Sequence, residues 1–327
     1  MTKQRPIIDW FFVAVFVALI AGIVLPATGA LGIFFNDATT VVIGLLFFLN
    51  GIRLSPSDTL AALRYWRLHV TILTATYIVF PLIGVGISWM LHGLLSPMLV
   101  TGIVYLTLVP STIQTSTAFT AIAHGNVAGA VVSASLSNIL GVFITPALCW
   151  LLLLRGSSIS ITFSAVVSIV VQIILPFVLG QICRRWLADF VASHPRLNIV
   201  DRGSVVLIVY SAFASATADG VWHRTSVPQI VAVTVICCAL LVGMLALTWW
   251  GGKALGFNRA DDIVIQFCGT KKSLASGLPI ATVLFPHESL ALIILALVIY
   301  HQVQLVVCGA MASRYGRKWE AEHAGAG

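Results

Sequence analysis

Apolar runs long enough to cross a bilayer follow one another along almost the whole chain, and inside one of them stand two adjacent lysines, Lys271 and Lys272. Segments of about 20 apolar residues repeated in this way cannot pack as a water-soluble domain, so the chain must fold as a bundle of membrane-crossing helices. The composition agrees. Hydrophobic residues make up 59% and charged residues 9%, against about 25% charged in a soluble domain. A charge at bilayer depth costs roughly 2.5–3.5 kcal/mol on insertion scales, so it usually faces a cavity or a partner. The lysine pair is therefore the first candidate for a functional site.

The hydropathy pattern predicts spans over residues 8–26, 38–52, 68–91, 98–122, 127–154, 161–183, 203–218, 228–250, 262–285 and 289–312. Lys3 and Arg5 precede an apolar run that ends near Ala27-Thr28-Gly29-Ala30, as in a signal peptide. The next span follows directly, however, so a retained first helix is the better reading. Charge tests the span count. With the N-terminus inside, Lys3, Arg5, Arg53, Arg64, Arg67, Arg184, Arg185, Arg196, Arg202, Lys253, Arg259, Arg314, Arg317 and Lys318 all fall on the inner side. Only Arg155 and Arg224 fall outside, and the lysine pair completes the total of 18. This bias predicts an inner-membrane protein with both termini cytoplasmic. It also accounts for the net charge of +7 without a nucleic-acid partner.

Ten spans divide into five and five, residues 1–154 and 155–327. An odd number per set inverts the second set, which is the architecture of many secondary transporters. The fold class is thus all-α and polytopic, with two inverted five-helix repeats. The fourth span of each set is interrupted. The first interruption is Pro110-Ser111-Thr112-Ile113-Gln114-Thr115-Ser116-Thr117, and the second is Gly269-Thr270-Lys271-Lys272-Ser273. Pro110 removes a backbone donor and Gly269 loosens a helix. Unwound backbone at membrane depth is tolerated only inside protein or beside a cavity. Paired interruptions point to a transporter binding site.

Half-helix N-termini there carry free N–H groups, with Ser116 or Thr117 and Ser273 as expected caps. Such ends and two lysines favour an organic anion, a carboxylate or sulfonate. None of the eleven acids falls mid-span, so the usual intramembrane proton or sodium carrier is lacking. Other polar residues inside spans include Thr76, Ser133, Ser135, Ser137, Asn138, Gln266, His301 and Gln304. The serines and His301 read mainly as helix-packing residues. The six cysteines have no metal-ligand spacing, and no enzymatic constellation is visible.

Ala123-His124-Gly125-Asn126-Val127-Ala128 resembles the Ala-x-Gly-Asn/Asp-x-Ala motif of the bile acid:sodium symporter family. Phe267-Cys268-Gly269-Thr270-Lys271-Lys272-Ser273-Leu274-Ala275 is similar to the signature of its less characterised branch, which holds bacterial proteins and an orphan animal member of solute carrier family 10. The resemblance covers nearly the full chain. It implies ten spans, two crossing broken helices, two sodium ions at the crossover and an organic anion beside them. The family's ligand positions fall on Ser116, Thr117, Ala130, Ala134, Phe267, Lys271, Lys272 and, near a third-span glutamine, Thr76. An anionic ligand has become Phe267, and positive charge stands where sodium would bind.

The substrate or ion site is therefore assigned to Gln114, Thr115, Ser116, Thr117, Lys271, Lys272 and Ser273, with Thr76 and Gln266 beside them. Pro110 and Gly269 are the helix breaks, and no metal site is expected. The expected function is secondary transport of an organic anion by alternating access, with sodium the one co-ion the resemblance offers and the lysines opposing it. A sodium-independent exporter or facilitator and a non-transporting membrane regulator are the alternatives. The expected partners are a small organic anion and the lipid bilayer, with no obligate protein partner.

Overall fold

The computed structural model describes residues 10–53, 65–91, 93–154, 167–168, 170–194 and 197–323. Among the described residues lie twelve helices: α1 Trp10–Val24, α2 Gly29–Arg53, α3 Trp66–Met90, α4 Pro97–Leu108, α5 Ile113–Ile122, α6 Val127–Leu153, α7 Val170–Ser193, α8 Asn198–Ala218, α9 Val227–Ala254, α10 Arg259–Thr270, α11 Leu274–Leu284 and α12 His287–His323. A short 3-10 turn, Val221–Arg224, precedes α9. Seven of these helices are long and apolar enough to cross a membrane. The count is eight if α4 and α5, bent by 60° at their break, form one span. Of the charges used to orient the chain, Lys3, Arg5, Arg64, Arg155 and Arg196 lie outside the described residues.

Local chemistry sets the helix ends. Pro97 starts α4 at a position whose N–H would have no helical partner. Asn258 caps α10 by accepting from the Asp261 N–H, and Asp261 and Asp262 occupy its first turn, where the helix dipole favours acids. Several ends depart from the hydropathy reading: α7 runs on past residue 183 to Ser193, α8 begins at Asn198 and not at residue 203, and α9 continues from residue 250 to Ala254. The second span begins at Gly29, not at residue 38, because Asn36 and Asp37 are accommodated within α2: Asp37 is exposed and Asn36 accepts from the Ser211 hydroxyl at 2.7 Å. The last helix continues from residue 312 to His323. At 1.5 Å per residue its length is about 55 Å, more than the roughly 30 Å of hydrocarbon, so its basic end projects past the apolar layer.

Two groups of helices result. Helices α1, α2, α7 and α8 pack on one another. Helices α3 to α6 and α9 to α12 form the second group, with α4 against α12, α5 against α6 and α12, and α10 against α3, α5 and α6. The groups meet along a seam where α8 lies on α11 and α12. Large apolar side chains such as Val24, Val41, Leu82 and Trp89 remain exposed, as expected of faces that meet lipid.

In the first group α2 and α7 approach until their backbones touch at Gly51 and Gly180. A Cβ on Gly51 would strike the Phe177 carbonyl, and one on Gly180 would strike the Phe48 carbonyl. Only glycine fits such a crossing. Gly180→Val should lower stability by about 1–3 kcal/mol, as overpacking does. Thermal unfolding of the purified variant checks this, and an unchanged midpoint would show that the crossing is looser than described.

Candidate functional site

The first break follows from one proline. Pro110 has no N–H, and it forces Val109 into an extended conformation (φ −78°, ψ 154°), which ends α4 at Leu108. The last carbonyls of α4 are then without helical donors. Thr145 on α6 donates to the Leu108 carbonyl at 2.9 Å. Asn138 donates to Ser111 O at 2.7 Å, and the Ser111 N–H donates to Ser137 Oγ at 3.1 Å. The second break spans Lys271 to Ser273, between α10 and α11. Tyr300 OH donates to Thr270 O at 2.7 Å. The Gln304 amide accepts from the Lys272 N–H at 2.9 Å and donates to the Lys272 carbonyl at 2.8 Å. The two breaks also bond to each other. Ser273 N–H donates to Pro110 O at 2.8 Å, and Thr112 Oγ1 donates to Lys272 O at 3.2 Å. The two breaks therefore meet, joined by one backbone hydrogen bond and one threonine hydroxyl.

Both lysines are fully buried, at 0% exposure, and they point different ways. Lys272 Nζ donates to the carbonyls of Thr107 at 2.7 Å, Val109 at 2.9 Å and Thr76 at 3.1 Å. Three acceptors match the three N–H bonds of an ammonium. Two of them belong to the C-terminus of α4, whose partial negative charge favours a cation. The third is released by a local defect in α3. Residues Ala75–Val79 form a π turn in which the Phe80 N–H bonds to Ala75 O, five residues back. Thr76 O would need the N–H of residue 81, which is a proline. Lys272 supplies the missing donor, and the Phe80 ring lies 4.1 Å from its Nζ. Charge-assisted bonds of about 1.5–3 kcal/mol each offset the several kcal/mol needed to bury the ion.

Lys271 turns toward α5 and α12. Its Nζ lies 3.5 Å from the Phe119 ring centroid and 5.6 Å from that of Phe267, and it has no hydrogen-bond acceptor among the described residues. Cys268 and Cys308 are close enough to interact with it electrostatically.

The other residues singled out from sequence are placed as follows. Thr76 contributes its carbonyl, while its hydroxyl turns back to Ile72 O at 2.8 Å. Ser116 donates to Phe267 O at 3.1 Å, tying α5 to α10. Ser116 and Thr117 are not helix caps, because α5 already begins at Ile113; Thr117 bonds back to Ile113 O at 2.9 Å. Proline alone ends the helix, and the polar residues after it are tolerated inside the next one. Ser273 does cap α11, accepting from the Ser276 N–H at 3.2 Å. Gly269 lies inside α10 rather than at the break. It packs where a Cβ would come 3.3 Å from Thr248 Cγ2, and the helix runs to Thr270. Gln266 accepts from Tyr315 OH at 3.0 Å. Gln114 is exposed, and the Thr115 hydroxyl is buried without a partner among the described residues. Among those residues, no group of His, Cys, Asp and Glu could hold a metal ion. Sequence reading passed over Pro81, Tyr300 and the break-satisfying roles of Ser137, Asn138 and Gln304. A proline five residues after Thr76 in an apolar helix was the available signal.

The molecule's helices are long and apolar enough to cross a membrane seven or eight times, and two helix breaks meet beside a pair of buried lysines. The chain matches the SBF-like CPA transporter family over residues 9–317 and is a member of it. It is 40% identical over 319 residues to the uncharacterized protein PA2026 of Pseudomonas aeruginosa, covering 97% of this chain and 96% of the relative. It is 39% identical over 320 residues, with the same coverage, to the Escherichia coli K12 protein named "Putative symporter YfeH". It is 30% identical over 311 residues to mouse "Sodium/bile acid cotransporter 7", covering 91% and 90%. The chain is therefore a multi-span membrane transporter of the bile acid:sodium symporter type.

The two lysines should respond oppositely to neutral replacement. Lys272→Met leaves three buried carbonyls without a donor and should cost at least about 3 kcal/mol. Lys271→Met removes an ammonium that has no acceptor and should leave stability unchanged or raise it. Thermal unfolding of both variants checks this, and a larger loss at Lys271 would contradict the assignment.

Proposed function

We propose that this chain is a secondary transporter of a small organic anion that works by alternating access and does not couple to sodium. The observation that carries the proposal is the Lys272 ammonium in its cage of three carbonyls at the crossover. Such a cage is also what sodium would take, and two cations within a few ångströms in a low-dielectric interior repel strongly. The printed names of relatives point to sodium and bile acids. The fixed ammonium supports a different coupling here, and buried positive charge without an acid supports an anionic cargo.

In this reading the chain crosses the membrane ten times. The broken pairs α4–α5 and α10–α11 each count as one span, and residues 1–154 and 155–327 are inverted repeats. The asymmetry of Lys and Arg between alternate loops supports cytoplasmic termini and the inner membrane. The group α1, α2, α7 and α8 moves against the group that holds the crossover, and the seam along α8 is where they part.

Uptake of labelled taurocholate or benzoate into proteoliposomes tests the proposal. Saturable uptake should be equal under inward sodium and inward potassium gradients, and Lys272→Gln should abolish it. Uptake that needs sodium, or normal uptake by the variant, would contradict it.

A further inference from the structure

We propose that the seam between the two helix groups opens first at a wetted gate, a cavity walled by Asn36, Thr39 and Ser211 from one group and by Thr282 and His287 from the other; this rests on the alternating-access reading above. The cavity has a volume of about 200 Å³ and lies where α2 begins, α8 and α11 end and α12 begins. The charge asymmetry puts those ends on the outer side. His287, the first residue of α12, is exposed and stands at the mouth. Behind it Ser211 is buried, at 6% exposure, and Thr282 is half-buried.

The hydrogen bonds of the walls favour parting here. Thr39 donates to Phe35 O at 2.8 Å, Ser211 to Asn36 Oδ1 at 2.7 Å and Thr282 to Leu278 O at 3.0 Å. Each bond stays within its own helix group, so separating the walls breaks none of them. The three hydroxyl protons are turned away, and the oxygens keep lone pairs that water in the cavity can meet. Polar walls that water already wets gain less from closing than apolar walls do. Deeper along the seam the contact is of the other kind, with Phe11 of α1 meeting the His301 ring edge-on at 6.4 Å. Helix α11 gives the opening a track inward. Its residues are buried except Ala275, Ser276, Thr282 and Val283. A spacing of seven is about two helical turns, so these four share one face. That face runs from the cavity to Ser276, which donates at 2.6 Å to Asn138, the residue that serves the first break.

The test reacts the purified full chain with a hydrophilic maleimide and reads each cysteine peptide by mass spectrometry, so that the native cysteines are scored apart. The new thiol in Ser211→Cys should react at least about tenfold faster than the one in Val209→Cys, a fully buried position on the same helix, because local opening needs less free energy than global unfolding. Thr282→Leu fills the cavity with an apolar side chain from the facing group and should slow the Ser211→Cys reaction several-fold. Thr282→Val exchanges only the hydroxyl for a methyl and should act in the same direction with less strain on the fold. The gate requires slowing in at least one of the two. Reaction of Ser211→Cys at the Val209→Cys rate would overturn the gate. Fast reaction that neither Thr282 variant slows would show that the thiol is reached by another route, and would overturn it as well. Either result leaves alternating access standing, because the uptake assay reads that on its own.

Discussion

Three backbone carbonyls, from Thr76, Thr107 and Val109, hold the Lys272 ammonium at the centre of the molecule. Each carbonyl is available because a proline removed its ordinary partner or ended its helix. Pro110 ends α4 and bares two of them, and Pro81 deprives Thr76 of the third. The ammonium joins α3, α4 and the second break through one atom. Without it, three polar groups would stand unsatisfied in a dry interior. Without the carbonyls, the charge could not be buried at this depth.

The rest of the crossover follows from the same demand that every backbone group inside the membrane find a partner. Side chains on α6 and α12 meet it. Ser137, Asn138 and Thr145 serve the first break, while Tyr300 and Gln304 serve the second. These bonds hold two unwound segments in fixed positions. They also separate the roles of the lysines. Lys272 has every donor used, so it is part of the frame. Lys271 has no acceptor among the described residues and lies over the Phe119 ring instead.

Much of this was legible in the sequence, for physical reasons. Hydropathy marked the apolar segments, and lysines inside one of them marked the second helix break, because the cost of a buried charge makes such residues rare. Pro110 marked the first break, since a missing N–H acts locally. Ser273 read correctly as a cap for the same reason. Other features depend on tertiary partners and were not legible. Gly269 looks like a helix breaker, but its place inside α10 is set by its contact with Thr248. Ser116 looks like a cap, but it bonds across to Phe267 on another helix. The π turn at Ala75–Val79 needs the lysine from 196 residues away to be worth forming. The start of α2 at Gly29 was hidden by Asn36, whose partner lies on α8.

The central claim is that a lysine ammonium fills the place of a coupling sodium ion. It is tested most directly by titrating the purified wild-type protein with sodium chloride, against choline chloride at equal ionic strength, and recording the unfolding midpoint. A bound ion stabilises the folded state in proportion to its occupancy. With Lys272 in the cage, the two titrations should superimpose. A saturable rise specific to sodium would show a site open beside the lysine and contradict the account.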